Sequence, residues 1–193
     1  MFQNSEIVKK LFYLNVFLFI VTLIGQSFGV PVTEYLALYP ISDEHFQFYQ
    51  FLSSMFMHGG VLHLAFNMLA LLSFGPDVEN QLGERKFIVY YLIMGFIASI
   101  FQMTMAGGSM IGASGAIFGL LVYYTMLNPD AKLAIIFLPF IGFKAKYFTA
   151  FMVAIELYLA IQGGGNIGHW AHFGGAVAGF VLFNIQSKFK FNF

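Results

Sequence analysis

Two kinds of residue are missing or scarce in this sequence, and each shortage excludes a class of protein. No cysteine occurs among the 193 residues, which excludes disulfides, cysteine nucleophiles and cysteine metal ligands. Charged residues make up 9% of the chain and hydrophobic residues 59%, whereas charged residues form about a quarter of ordinary soluble domains. Because so few charges cannot cover this much apolar surface in water, the sequence predicts a membrane protein.

Apolar segments recur along the whole chain and predict an all-α, polytopic membrane protein. Each crossing needs roughly 20 apolar residues, so we expect one compact bundle and a single domain over residues 1–193. A further apolar stretch, 133–143, is short and interrupted by Pro139, and we expect it to lie at the membrane interface. The six predicted transmembrane helices, several shorter than a full crossing, are 8–28, 61–74 or slightly beyond, 87–105, 114–127, 147–161 and 171–185.

The distribution of basic residues predicts the orientation of this six-helix bundle. With six crossings, both termini and the second and fourth connections lie on one side of the membrane. The opposite connections carry Glu34, Asp43 and Glu44 and no Lys or Arg. Because basic residues concentrate on the cytoplasmic side, we expect both termini in the cytoplasm. The nine basic residues, all on that side, are Lys9, Lys10, Arg85, Lys86, Lys132, Lys144, Lys146, Lys188 and Lys190.

Polar side chains cluster where three of the helices enter from the predicted outer side. The second helix begins with "MHGGVLHLAFNM", the fourth with "GASGAIFG" and the sixth with "GHWAHFGGAVAGF". His63 and Asn67 are four residues apart, so they share one helix face. Ser114 and His172 enter at the same membrane depth on neighbouring helices, which makes a hydrogen bond between them geometrically feasible.

Small residues on the fourth and sixth helices predict how these two helices pack. Gly115 and Gly119 are four residues apart, as are Gly175 and Gly179. This spacing lets two helix backbones approach closely in a membrane. If the two glycine faces pack together, the serine and the histidine at the start of the two helices come within reach of each other.

Taken together, these residues resemble the motifs of the rhomboid intramembrane serine proteases over nearly the whole chain. "HGGVLHLAFNM" is similar to the family's H-x-x-x-x-H-x-x-x-N, "GASG" to its G-x-S-G, and "AHFGGAVAG" to its A-H-x-x-G-x-x-x-G. "GPDVENQLG" is similar to the G-x-x-x-E-x-x-x-G that closes the second helix, and "PFIGFKAK" resembles the connection before the fifth.

The resemblance implies a Ser-His dyad that cleaves peptide bonds in or next to transmembrane segments of membrane-protein substrates. Ser114 would be the nucleophile and His172 the general base, with no acid residue needed to orient it. His63, Asn67 and the backbone N–H of Ser114 would form the oxyanion hole, supported by His58. Similarity to bacterial six-helix members implies the cytoplasmic (inner) membrane. Transmembrane substrates and lipid are the expected partners, with no cofactor, metal or nucleic acid.

The sequence departs from the family pattern at several positions. Tyr49-Gln50 stands where many members have Trp-Arg in the first outer loop, and Phe118 replaces a tyrosine that often stacks beneath the catalytic histidine. His169 matches no catalytic position of the family, and we interpret it as a water-facing neighbour. Glu156, near the middle of the fifth helix, is interpreted as a protonated or hydrogen-bonded carboxyl facing the bundle, in preference to a functional role.

Two other functions are compatible with the same residues. One is a catalytically silent rhomboid-like protein that binds membrane clients, although such relatives usually lack the Ser114 or His172 equivalent. The other is a small proton-coupled transporter that would use His63, His172 and Glu156, because ionisable groups inside a membrane often mark function.

Overall fold

The computed structural model describes residues 5–135, 138–163 and 167–189. Lys190 and the middle of the 133–143 segment lie outside these ranges. Helices dominate the described residues, which confirms the prediction of a mainly helical protein. In chain order the elements are α1 (Glu6–Ser27), α2 (Val32–Leu36), α3 (Gln50–Ser53), a 3-10 helix (Ser54–Phe56), α4 (Val61–Leu82), α5 (Glu84–Met105), α6 (Ser114–Leu127), β1 (Lys132–Ile135), β2 (Leu138–Lys144), α7 (Ala145–Gln162) and α8 (His169–Phe189).

Each of the six predicted apolar segments coincides with one helix of the structure. In chain order these helices are α1, α4, α5, α6, α7 and α8. Among the described residues, α1, α4 and α5 are long and apolar enough to cross a membrane, and α6 is a shorter apolar helix. The count of six crossings, the position of the termini and the single domain therefore stay predictions.

The segment before α7 corrects the all-α prediction, because its described residues form a β-hairpin. Strands β1 and β2 pair antiparallel, with Lys132 opposite Lys144 and Ala134 opposite Gly142. The segment is too short to cross the membrane as a helix, and Pro139 has no backbone N–H to donate within one. A two-stranded ribbon tolerates proline because each strand has a free edge.

The core of the protein is built around α6, whereas α7 lies at its margin. Nine of the 14 residues of α6 are buried, and the helix packs against α4, α5 and α8. On α7, large apolar side chains such as Tyr147, Phe151 and Tyr158 are more than 60% exposed, as expected of a face that meets lipid. The buried residues of α7 form one narrow stripe: Ala145, Thr149, Glu156 and Ala160.

Helices α6 and α8 touch backbone to backbone along a line of glycines. A Cβ atom on Gly175 would overlap the carbonyl oxygen of Gly115, and a Cβ atom on Gly179 would overlap that of Gly119. Small residues permit this approach, and close packing of this kind holds helices together in lipid. The four glycines bring the first turns of α6 and α8 side by side.

The long connection between α1 and α4 is anchored by Gln50, the second residue of the pair that departs from the rhomboid pattern. Its side chain is 1% exposed. The amide nitrogen donates to the carbonyl oxygen of His45 (2.9 Å), and the amide oxygen accepts from the backbone N–H groups of Tyr39 (3.3 Å) and Gln47 (3.1 Å). The hydroxyl of Tyr49 donates to a further loop carbonyl at 3.0 Å. The neutral side-chain amide of Gln50 therefore links three backbone positions of this loop through hydrogen bonds.

Candidate active site

Ser114 is the first residue of α6, and the preceding glycine sets its position. Gly112 adopts a φ of 124°, a conformation that residues with a Cβ rarely adopt. A Cβ there would also lie 2.9 Å from the ring of His63, so both conformation and space call for glycine. As the first helical residue, Ser114 has a backbone N–H without an intrahelical acceptor, at the positive end of the helix dipole.

The hydroxyl of Ser114 lies in hydrogen-bond contact with the imidazole of His172 on α8. The Oγ atom is 2.8 Å from Nε2, a normal hydrogen-bond distance. If the serine donates, Nε2 is the acceptor, and the proton of the neutral ring lies on Nδ1. An imidazole is thus placed to take the proton of this hydroxyl, the arrangement that activates a serine as a nucleophile.

An aromatic ring on α6 supports the imidazole. Phe118 stacks on His172, with ring centroids 4.5 Å apart and planes 13° from parallel. Phe118 lies one turn after Ser114, so the helix that carries the hydroxyl also supports the ring that faces it. This stacking is made by the apolar ring and needs no tyrosine hydroxyl.

The predicted oxyanion residues lie on the first turns of α4, next to the serine. His63 accepts a hydrogen bond at Nδ1 from the backbone N–H of Gly59 (3.4 Å), so Nε2 carries the proton of the neutral ring. Asn67 donates one amide hydrogen to the carbonyl oxygen of His63 (2.8 Å) and has a second hydrogen to donate. The ring of His58 packs edge to face against His63, with centroids 5.0 Å apart.

These residues open onto a cavity of about 1440 Å³ at one end of the bundle. Its walls include Ser114, His172, His63 and Asn67. The predicted nucleophile, base and oxyanion donors therefore face one space.

Comparison with known proteins adds an independent line of evidence. A family model described as the Rhomboid domain matches residues 45–189. The chain belongs to the rhomboid family. One relative, the Rhomboid protease GluP of Bacillus subtilis (strain 168), aligns with nearly the whole length of this chain. It is 30% identical over 186 residues, which cover 93% of this chain and 35% of that protein.

Other rhomboid relatives come from eukaryotes. The human Presenilin-associated rhomboid-like protein, mitochondrial, is 36% identical over 133 residues, covering 66% of this chain and 35% of that protein. RHOMBOID-like protein 4 of Arabidopsis thaliana is 35% identical over 139 residues, covering 69% and 33%. This chain therefore spans about a third of the length of the curated relatives it matches. Its membership of the rhomboid family and its long apolar helices make it an integral membrane protein.

Two residues that the sequence interpretation left outside the rhomboid site, Glu156 and His169, lie next to His172 on the side opposite Ser114. The Oε2 atom of Glu156 lies 2.6 Å from Nδ1 of His169 and 2.9 Å from Nδ1 of His172. His169, interpreted as a water-facing neighbour, is 7% exposed and bonded to Glu156 of α7, although it also lines the cavity. Interpreting Glu156 as a hydrogen-bonded carboxyl facing the bundle agrees with the structure. The spacing of His169 and His172, three residues apart on one helix face, was the signal for a shared partner.

The same three side chains are also of the types that bind metal ions. One donor atom each from Glu156, His169 and His172 lies within 4.8 Å of the other two, and two histidines with a glutamate form a known zinc ligand set. The distances from Oε2 to the two nitrogens are, however, those of direct contact between carboxylate and imidazole. The expected absence of a metal in this rhomboid protein stays a prediction.

Proposed function

We propose that this protein is an intramembrane serine endopeptidase, which hydrolyses peptide bonds in or next to transmembrane segments of membrane-protein substrates. The observation that carries the proposal is the 2.8 Å contact between Ser114 Oγ and His172 Nε2 at the wall of a large cavity. Support also comes from the Bacillus subtilis relative, which is named a rhomboid protease.

In the proposed reaction, His172 accepts the hydroxyl proton as Ser114 Oγ attacks the scissile carbonyl carbon. Negative charge develops on the former carbonyl oxygen, which accepts hydrogen bonds from the Ser114 N–H, the Nε2–H of His63 and the second amide hydrogen of Asn67. The imidazolium then gives its proton to the leaving amine. Water enters from the cavity and loses a proton to His172 as it attacks the ester carbon; His172 then returns that proton to Ser114 Oγ as the ester bond breaks, which releases the acid and restores the enzyme.

The membrane setting follows from the same proposal. We place the protein in a bacterial cytoplasmic membrane as one six-helix domain with both termini in the cytoplasm. The one-sided distribution of the nine basic residues and the Bacillus subtilis relative that covers 93% of the chain support this placement. The substrates would be transmembrane proteins whose helix can unwind at the cut, because a helical carbonyl is already hydrogen-bonded within its own segment.

Labelling with a serine-directed fluorophosphonate tests the proposal most directly. Detergent-purified wild type would be compared with Ser114→Ala, His172→Ala and the control Ser27→Ala. Ser27 is a matched control because its exposed hydroxyl donates to the carbonyl oxygen of Ile24 at the end of α1. We expect labelling to vanish in the first two variants and to persist in the third.

Two results would contradict the proposal. Labelling, or cleavage of a transmembrane substrate, that persists in Ser114→Ala would show that another group is the nucleophile. A folded wild type that never labels would favour the client-binding or transport functions instead.

A further inference from the structure

Behind the Ser-His pair lies a buried carboxylate that the proposed dyad mechanism does not use. Glu156 belongs to α7, whereas His169 and His172 belong to α8. The side chains of Glu156 and His172 are each 11% exposed, and that of His169 is 8% exposed. A buried carboxylate is costly unless it is paired or hydrogen-bonded, so the two imidazoles are what make this position tolerable for Glu156.

We propose that Glu156 is a positioning residue that completes a Ser-His-Glu arrangement, with His169 holding the carboxylate in place. This inference rests on the serine protease function proposed above. The order of contacts is Ser114 Oγ to His172 Nε2 at 2.8 Å, then His172 Nδ1 to Glu156 Oε2 at 2.9 Å. The two contacts use opposite nitrogens of one imidazole, as proton transfer with charge stabilisation requires.

The carboxylate favours the charged form of His172 that exists only during the reaction. When Nε2 takes the serine proton, the ring becomes an imidazolium, and the negative charge of the largely buried carboxylate, 2.9 Å from Nδ1, attracts it. In the resting geometry this contact is short but not aligned with the N–H of the ring. Catalytic hydrogen bonds are often poorly aligned before substrate binds and improve afterwards.

His169 satisfies the carboxylate independently of the reaction. Its Nδ1 lies 2.6 Å from Oε2 with hydrogen-bond geometry, so the carboxylate keeps one donor while His172 changes its charge. The two histidine rings are perpendicular, with centroids 6.2 Å apart, and approach the same oxygen from different directions. His169 thereby fixes the carboxylate next to His172 Nδ1.

Two different roles for Glu156 would produce the same contacts and must be separated from positioning. In the first, Glu156 is only a tether between α7 and α8 and has no effect on proton transfer. In the second, the three side chains hold a metal ion. A matched tether exists on the same stripe of α7, where the Oγ1 atom of Thr149 lies 2.6 Å from that of Thr125 on α6. Thr149→Val therefore removes a buried interhelical hydrogen bond of α7 without touching His172.

The experiment compares Glu156→Gln, Glu156→Asp and Thr149→Val in the full-length detergent-purified protein. It measures kcat and KM on a transmembrane peptide, the rate of fluorophosphonate labelling, and the thermal unfolding midpoint. We expect Glu156→Gln to lower kcat and the labelling rate about 100-fold or more with KM within about twofold, since removing the triad acid of serine proteases costs roughly 10⁴-fold. Glu156→Asp should retain more activity than Gln, and Thr149→Val should keep near wild-type kcat.

Each alternative role predicts a different pattern. A purely structural role would make the isosteric Gln variant more active than Asp, or would make kcat fall in Thr149→Val in step with its stability, and either result overturns the inference. A metal site is indicated if a chelator reduces wild-type activity to the level of Glu156→Gln, which also overturns it. If wild-type labelling never depends on Ser114, the proposed function itself has failed rather than the role of Glu156.

Discussion

The contact between α6 and α8 sets the distance between the serine and the histidine, and Gly175→Ala tests this directly. Gly175 lies on α8, three residues after His172, and faces the carbonyl oxygen of Gly115, the residue after Ser114. The opposing atom belongs to the backbone of a buried helix, so it cannot turn aside as a flexible side chain would. A methyl group at residue 175 must therefore push the two helices apart.

The size of the displacement follows from van der Waals distances. A carbon and an oxygen need about 3.4 Å between them, and the Cβ would overlap the oxygen of Gly115, so the helices must separate by roughly 1.5 Å at this contact. The Ser114–His172 distance, now 2.8 Å, would then exceed the range of a hydrogen bond. A misplacement of about 1 Å in a catalytic pair can lower the rate about 100-fold, and overpacking of a core costs about 1–3 kcal/mol.

The assay is the rate of fluorophosphonate labelling, measured below the unfolding midpoint of every variant so that loss of fold is not mistaken for loss of activity. Gly108→Ala is the matched control, because a Cβ there would contact nothing within 4 Å. We expect about a 100-fold slower rate and a lower unfolding midpoint for Gly175→Ala, with neither change in the control. A folded Gly175→Ala protein that labels within twofold of the wild type would refute the idea that backbone contact sets the dyad distance.

Two further predictions concern buried charge and protonation. Glu79 on α4 is 2% exposed, and its carboxylate accepts hydrogen bonds from the backbone N–H groups of Ile7 (3.0 Å) and Val8 (2.8 Å) at the start of α1. Glu79→Gln should therefore lower the free energy of unfolding by about 2 kcal/mol. An unchanged unfolding midpoint would contradict this. Burial lowers the pKa of the His58 imidazole, in the loop before α4, from 6.5 to about 4. Because the folded protein keeps His58 neutral, this contribution to the free energy of unfolding is fully present above pH 6.5. It is lost, by on the order of 3 kcal/mol, as the pH falls from 6.5 towards 4. His58→Gln should flatten this part of the measured pH dependence of unfolding, whereas an unaltered slope would argue against it.

The bounds of α6 and its close approach to α8 could be predicted from local sequence. The start of α6 at Ser114 follows from a glycine and an alanine that precede a long apolar run, and the predicted bounds of that helix match the structure. The approach of α6 to α8 follows from glycines four residues apart. The β-hairpin was not predictable in the same way, because a short apolar stretch such as 133–143 has no periodicity that separates strand from helix.

The place of Glu156 depends on how α7 is rotated about its axis, which apolar periodicity does not reveal. In water an apolar stripe marks the face that packs inward, but in lipid both faces of a helix are apolar. The inward face of α7 is marked instead by its buried polar residues, Thr149 and Glu156. They are seven residues apart, close to two helical turns, so both point to the same side. For a helix at the edge of a membrane bundle, the spacing of polar residues is therefore a better guide than apolar periodicity to its rotation about its own axis. In α7 this spacing places Glu156 on the side that faces the helix carrying His172.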